Sequence, residues 1–341
     1  MMSSTAPIAA SWEPRFTQRH NLVIAILLGI LPAFAPLMAG VGVVPQLLIL
    51  AVFVVLTGLP HGALDITLLQ GAGIGPLGIA TAVSLYIGLA GLVIAGFEHF
   101  PTVALSLFLL VAWIHFGLGD TENLTGWHRF GECFARGGMA IAGPLLFHYD
   151  ETLDLFTTLC GPSSKVHLLT LTHFVNIFLC PLWLGACLLM VCLRLRSALS
   201  RSAPSKARND NLLAAWEIVS LTLLFWLWPP LAAFGVYFCF IHSVRHLVQI
   251  AEARQPQALR WAARWMWRES WPVVCLTLIL GAVLMWHWGG GLGVDAFILR
   301  FLFVGLAALT MPHMLLTYWW HRQGKPAPGD FFTRLSFSGH S

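Results

Sequence analysis

The sequence predicts an all-α, polytopic membrane protein of about ten transmembrane helices, eight at the fewest. Three observations carry that expectation. The chain is 57% apolar and only 10% charged over 341 residues, with a mean hydropathy of +0.76, whereas a soluble domain carries about 25% charged residues. Apolar runs of the roughly 17–25 residues needed to cross hydrocarbon recur along the chain. Basic residues concentrate in alternate loops between those runs, the short loop 70–74 excepted.

Residues 1–20 are polar and are expected to form a cytoplasmic N-terminal segment. The apolar run that begins after Asn21 is too long for a cleavable signal and should remain as an anchor. The expected spans are 21–42, 46–69, 75–97, 101–118, 134–149, 167–193, 212–229, 231–250, 271–289 and 296–320. The fifth is short and glycine-rich, and the seventh and eighth meet at Pro229-Pro230, so the count rests least on these three. Residues 21–322 are expected to form one helical transmembrane domain. The tail 323–341, with Pro326, Pro328 and Gly329, is expected to be a flexible cytoplasmic segment.

Loop charge supports the order of the spans. Arg15 and Arg19 precede the first; Arg129 and Arg136 follow the fourth. Arg194, Arg196, Arg201, Lys206 and Arg208 follow the sixth, Arg254, Arg260, Arg264 and Arg268 the eighth, and Arg322, Lys325 and Arg334 the last. The intervening loops are uncharged or mainly acidic, with Lys165 the one basic residue, which places both termini in the cytoplasm; the cell inner (plasma) membrane is the expected location. In the loop 259–269, Arg260, Arg264 and Arg268 recur every four residues beside Trp261 and Trp265, the pattern of an amphipathic helix lying among headgroups.

The net charge of +4 is spread over short loops, so no nucleic-acid surface is expected. The seven cysteines are odd in number, mostly within apolar runs and never spaced Cys-x-x-Cys. They read as packing residues rather than a zinc or disulfide framework.

Chemistry is concentrated in histidines placed at membrane depth, where an ionisable ring is costly unless something stabilises it. The strings are Pro60-His61-Gly62-Ala63-Leu64-Asp65, Trp113-Ile114-His115-Phe116-Gly117, His242-Ser243-Val244-Arg245-His246 and Met311-Pro312-His313. The loop charges orient all four host spans from outside to inside. Each histidine lies about 11–17 residues into its span, or roughly 17–26 Å at 1.5 Å per residue. They therefore share a layer in the cytoplasmic half of the bilayer. His242 and His246 are one turn apart on one face, so both can reach one ion. Imidazole suits iron, copper, zinc or nickel, which leaves the metal's identity open. Asp65, four residues after His61, is placed to orient an imidazole from behind. Arg245 reads as a neutralising partner or a solvent-facing residue, and His313 as a further ligand or a partner for carbonyls freed by Pro312.

Gly58-Leu59-Pro60-His61-Gly62-Ala63-Leu64-Asp65, His115-Phe116-Gly117 and His242-Ser243-Val244-Arg245-His246 resemble the Brp/Blh family of membrane-bound beta-carotene cleavage enzymes, with Pro312-His313 as a further element. The resemblance implies an all-helical membrane enzyme that uses iron, as Fe(2+), and dioxygen to split the central 15,15' double bond of beta-carotene into two molecules of retinal. It puts the iron ligands at His61, His115, His242 and His246. It also implies a retinal-binding rhodopsin as acceptor of the product. Many family members carry another histidine directly after the motif aspartate; here that position is Ile66, so no role passes to it. No general acid or base is assigned, and oligomeric state is not legible.

Two other classes use intramembrane histidines. A transporter would employ them as a proton relay, without needing them to agree in depth. A haem-binding cytochrome needs facing pairs, to which His242 and His246 on adjacent turns are poorly suited. A di-iron desaturase would carry several histidine boxes. A retinal-binding pump needs a membrane lysine, and Lys165, Lys206 and Lys325 all lie in loops.

Overall fold

The computed structural model describes residues 15–71, 74–121, 126–254, 259–288 and 293–322. Every regular element among them is helical. Among the described residues, seven helices are long and apolar enough to cross a membrane: His20–Met38, Pro76–His99, Pro101–Gly119, Pro162–Leu199, Ser205–Leu227, Pro230–Val248 and Val294–Leu316. The protein is an all-α, polytopic membrane protein. The large side chains that face outward are those lipid would cover, such as Leu77, Leu85, Leu92, Phe178 and Leu182, a surface that water would not tolerate over so wide an area.

Proline sets several boundaries. Pro76, Pro101 and Pro230 occupy first-turn positions, where the missing N–H would have had no helical partner. Only Phe100, at φ −137°, separates Pro76–His99 from Pro101–Gly119, so these two helices reverse direction in a single residue.

Three expected spans are built differently. The stretch 46–69 is divided into the helix Val43–Phe53, a π-helical segment Val54–Gly58, the short helix Leu59–Ala63 and, beyond a break at Leu64, the helix Asp65–Gly71. The break places the Asp65 carboxylate in a first helical turn, beside the positive end of the helix dipole. The stretch 134–149 spans two helices, Gly126–Gly137 and Met139–Phe147, joined at Gly138. The first carries Glu132 and Arg136, both buried, so it packs inside the bundle through charge pairs. The segment 259–269 is helical as expected but does not stop there: one helix runs from Leu259 to Trp288 through Pro272 and absorbs the span 271–289. The segments 1–14 and 323–341 lie outside the described residues.

The core is aromatic at its centre. Trp183, Tyr237 and Phe225 are fully buried, together with Leu224 and Met139. Trp183 donates its indole N–H to the Ala135 carbonyl at 2.8 Å, the usual need of an indole cut off from water. Helices meet backbone to backbone where glycines face them. A Cβ at Gly117 would lie 2.3 Å from the Cys133 carbonyl oxygen, and one at Gly137 would lie 2.1 Å from the Trp113 carbonyl oxygen.

Candidate metal centre

Three separate spans bring histidines together. His115 sits near the C-terminal end of Pro101–Gly119, His242 and His246 on Pro230–Val248, and His313 on Val294–Leu316. His115 Nε2 and His242 Nε2 are 3.2 Å apart. The His115 ring centroid lies 5.0 Å from that of His242 and 5.3 Å from that of His313, and His246 lies 6.3 Å from His313. Four of the histidines singled out in the sequence thus form one cluster, and His115, His242 and His313 are almost fully buried in it.

The side chain of His61 lies outside the described residues. Its backbone belongs to the helix Leu59–Ala63, which packs against Ser243–Arg254, Leu259–Trp288 and Val294–Arg322, the elements that carry His246 and His313 among them. Among the described residues, no three His, Cys, Asp or Glu side chains converge tightly enough to hold an ion by themselves.

Local backbone form aims the rings. His242 ends a π-helical segment, Val236–His242, and a second, Val54–Gly58, precedes the Pro60-His61 string. The two segments pack together, with the position of a Gly58 Cβ only 2.9 Å from the Phe238 ring. A π turn inserts one residue and rotates the helix downstream of it, a device common at functional sites. Here it turns His242 towards His115.

Asp65 faces an imidazole, in keeping with its place in the motif. Both carboxylate oxygens lie 2.8 Å from Nδ1 of His313. With Nδ1–H donated to that carboxylate, Nε2 would be the nitrogen that carries the lone pair. Arg245 does not point to solvent. It donates to Asp120 Oδ1 at 3.1 Å and to Glu217 Oε1 at 2.6 Å.

Those partners were not singled out in the sequence. Glu217 also pairs with Arg136 at 3.0 Å, Arg136 with Glu132 at 3.1 Å, and Glu132 with Arg194. Asp120, the first residue beyond Pro101–Gly119, receives the Tyr237 hydroxyl at 2.9 Å and lies 3.5 Å from His242 Nδ1. Burial alone would raise its carboxyl, but Arg245, His242 and Arg136 outweigh that and hold it well below the usual carboxylate range. Two signals were present in the sequence: a lone glutamate inside the apolar span 212–229, and opposite charges four residues apart at Glu132 and Arg136.

A family profile described as "Beta-carotene 15,15'-dioxygenase" matches residues 52–321. The chain is 29% identical over 266 residues to a protein named beta-carotene 15,15'-dioxygenase from an uncultured marine bacterium, covering 77% of this chain and 90% of the relative. It is 28% identical over 330 residues to a probable beta-carotene 15,15'-dioxygenase Blh of Halobacterium salinarum, covering 88% and 90% respectively. No solved structure matches it significantly. The profile spans the whole histidine cluster, from ahead of the Pro60-His61 string to beyond His313, and on that match the chain belongs to the beta-carotene 15,15'-dioxygenase family, a family of carotenoid-cleaving enzymes.

Proposed function

We propose that this protein is an iron-dependent dioxygenase that cleaves the central double bond of beta-carotene. One molecule of beta-carotene and one of O2 give two molecules of all-trans-retinal, each new aldehyde taking one oxygen atom. Atoms balance without any proton donor or acceptor, so no residue is assigned as general acid or base. The observation that carries this reading is the convergence of His115, His242, His246 and His313 from three separate spans. The names of both relatives support the substrate.

Two of the donors stand at a spacing that suits a metal. Two ring nitrogens each about 2.1 Å from one ion, at right angles, lie about 3.0 Å apart. The Nε2 atoms of His115 and His242 are 3.2 Å apart. His61, His115, His242 and His246 would hold the iron, and His313 is a further imidazole of the same cluster whose tautomer Asp65 fixes. All-imidazole donors suit iron among several transition metals, and the resemblance selects it. When bound, iron supplies the means for dioxygen to react with a polyene.

The protein's own groups supply placement. A long hydrocarbon dissolved in the bilayer reaches a cluster at membrane depth laterally, without crossing water. The polyene offers no polar handle, so position along it is set by the shape of the apolar wall. Phe116 and Phe238 pack around His242, with ring centroids 4.8 Å and 6.4 Å away, and keep that wall dry. The protein sits in the inner membrane under this reading, where a retinal-binding rhodopsin would accept the product.

Expression in a bacterium that accumulates beta-carotene tests the proposal, with retinal measured by chromatography. Retinal should appear as the orange colour fades, and purified protein should contain about one iron per chain. Colour loss without retinal would refute central cleavage, and unchanged carotene would refute the enzyme reading.

A further inference from the structure

We propose that Asp120 is a positioning residue for His242, holding its ring so that Nδ1 faces the carboxylate and Nε2 faces His115. The proposal rests on the reading of the histidine cluster as a metal site and adds a residue to it. Asp120 lies where the Pro101–Gly119 helix ends, its backbone N–H still bonded to the Phe116 carbonyl at 3.0 Å. It is therefore anchored to the same helix as His115, five residues on.

Each oxygen of the carboxylate has a task. Oδ1 lies 3.5 Å from His242 Nδ1 and accepts from Arg245 Nη1 at 3.1 Å. Oδ2 accepts the Tyr237 hydroxyl at 2.9 Å. Tyr237 and Arg245 flank His242 in sequence, five residues before and three after. The carboxylate is thus clamped by the very segment whose histidine it faces. The 3.5 Å contact is at the outer limit of a hydrogen bond; a carboxylate that accepts the Nδ1–H leaves the Nε2 lone pair for a metal and raises its basicity. The ring has little freedom otherwise: a Cβ at Gly119 would lie 3.1 Å from His242 Cε1, and Phe116 packs edge-on to it.

A lone buried carboxylate would be costly. Here it ends a line of alternating charges: Asp120, Arg245, Glu217, Arg136, Glu132 and Arg194. Three carboxylates meet three guanidiniums, so the line carries no net charge. It runs from His242, 3% exposed, to Arg194, 20% exposed, where Asn211 accepts an Arg194 N–H at 2.8 Å. A purely structural line would tie helices together without regard to the metal. The distinction is measurable, because only the carboxylate facing His242 should influence metal affinity.

The test measures anaerobic Fe(II) binding to the full-length protein in detergent, after chelator treatment, by competition with a chromophoric chelator. Asp120→Asn should weaken Fe(II) binding about 10–100-fold, the usual effect of removing a partner behind a ligating imidazole. Glu217→Gln breaks the same line one step further from His242 and should weaken binding by no more than about threefold. Tyr237→Phe removes one hydrogen bond to the carboxylate, should fall between the two, and carries the test if Asp120→Asn does not fold. The Co(II)-substituted protein should show a shifted visible spectrum in Asp120→Asn and an unshifted one in Glu217→Gln. Wild-type affinity in both Asp120→Asn and Tyr237→Phe would overturn the proposal. So would an equal loss in Glu217→Gln, which would mark the effect as structural. A wild-type protein that binds no Fe(II) in this assay would overturn the metal reading itself, and this proposal with it.

Discussion

Replacing Gly117 with alanine should damage both stability and activity, and one contact sets the size of the effect. The added Cβ would lie 2.3 Å from the Cys133 carbonyl oxygen, 2.6 Å from Cys133 Sγ and 2.9 Å from the carbonyl carbon. Contacts between such atoms settle near 3.5 Å, so the two backbones must part by about 1 Å. They cannot simply slide, because one turn away the Gly137 backbone is held as closely against the Trp113 carbonyl. Overpacking of this kind costs about 1–3 kcal/mol. The functional effect should be larger in proportion. Gly117 lies between His115 and Asp120, which stand 3.2 Å and 3.5 Å from His242. A displacement of about 1 Å at a catalytic constellation can cost on the order of 100-fold in rate. The assay is retinal formation per mole of folded protein, with unfolding measured in parallel. Gly185→Ala is the control, since nothing lies within 4 Å of its Cβ position; as a helical Gly→Ala change it should be neutral or stabilising by about 0.5–1 kcal/mol. Activity of Gly117→Ala within about twofold of wild type, with unchanged stability, would refute the idea that helix contact sets the site's geometry.

The same geometry sets the outcome of other substitutions. His115→Ala and His242→Ala should each lower bound iron to about a tenth of wild type or less and abolish cleavage, as read by metal analysis and chromatography. Asp65→Asn should weaken metal binding about 10–100-fold if His313 serves the metal. In that case adding His313→Ala should cost far less than the two single losses combined, and additive losses would show that the pair acts independently. Arg136→Met breaks pairs of 3.1 Å and 3.0 Å and leaves its line with one excess negative charge. It should cost about 3–5 kcal/mol in detergent unfolding, and a loss below about 1 kcal/mol would show that the line rearranges freely.

Much of the site was legible because lipid makes polar residues conspicuous. His115, His242, His246 and His313 stand out as ionisable rings in apolar runs, and the structure clusters them. Asp120 escapes notice because it lies just past the end of an apolar run, where an aspartate reads as an ordinary loop residue. Arg136 reads as loop charge for a different reason: nothing in its own neighbourhood reveals that Glu217, 81 positions along, faces it. The divided form of 46–69 is hidden by its uniform apolarity, since hydropathy does not distinguish a continuous helix from one interrupted by a π turn and a break at Leu64.

The sequence by itself determined that this is a helical membrane protein and which histidines stand inside its apolar runs. Both rest on the same physics: every backbone polar group in lipid must be satisfied within a helix, and every polar side chain there must be stabilised. Tertiary structure decided what stabilises each one. Asp65 meets His313 across 248 positions, and Asp120 meets Arg245 across 125. Pairings of that kind depend on which helices lie side by side and how each is rotated. Backbone contacts at Gly117 and Gly137 and the π turn before His242 set those relations, and they become visible only when the helices are packed together.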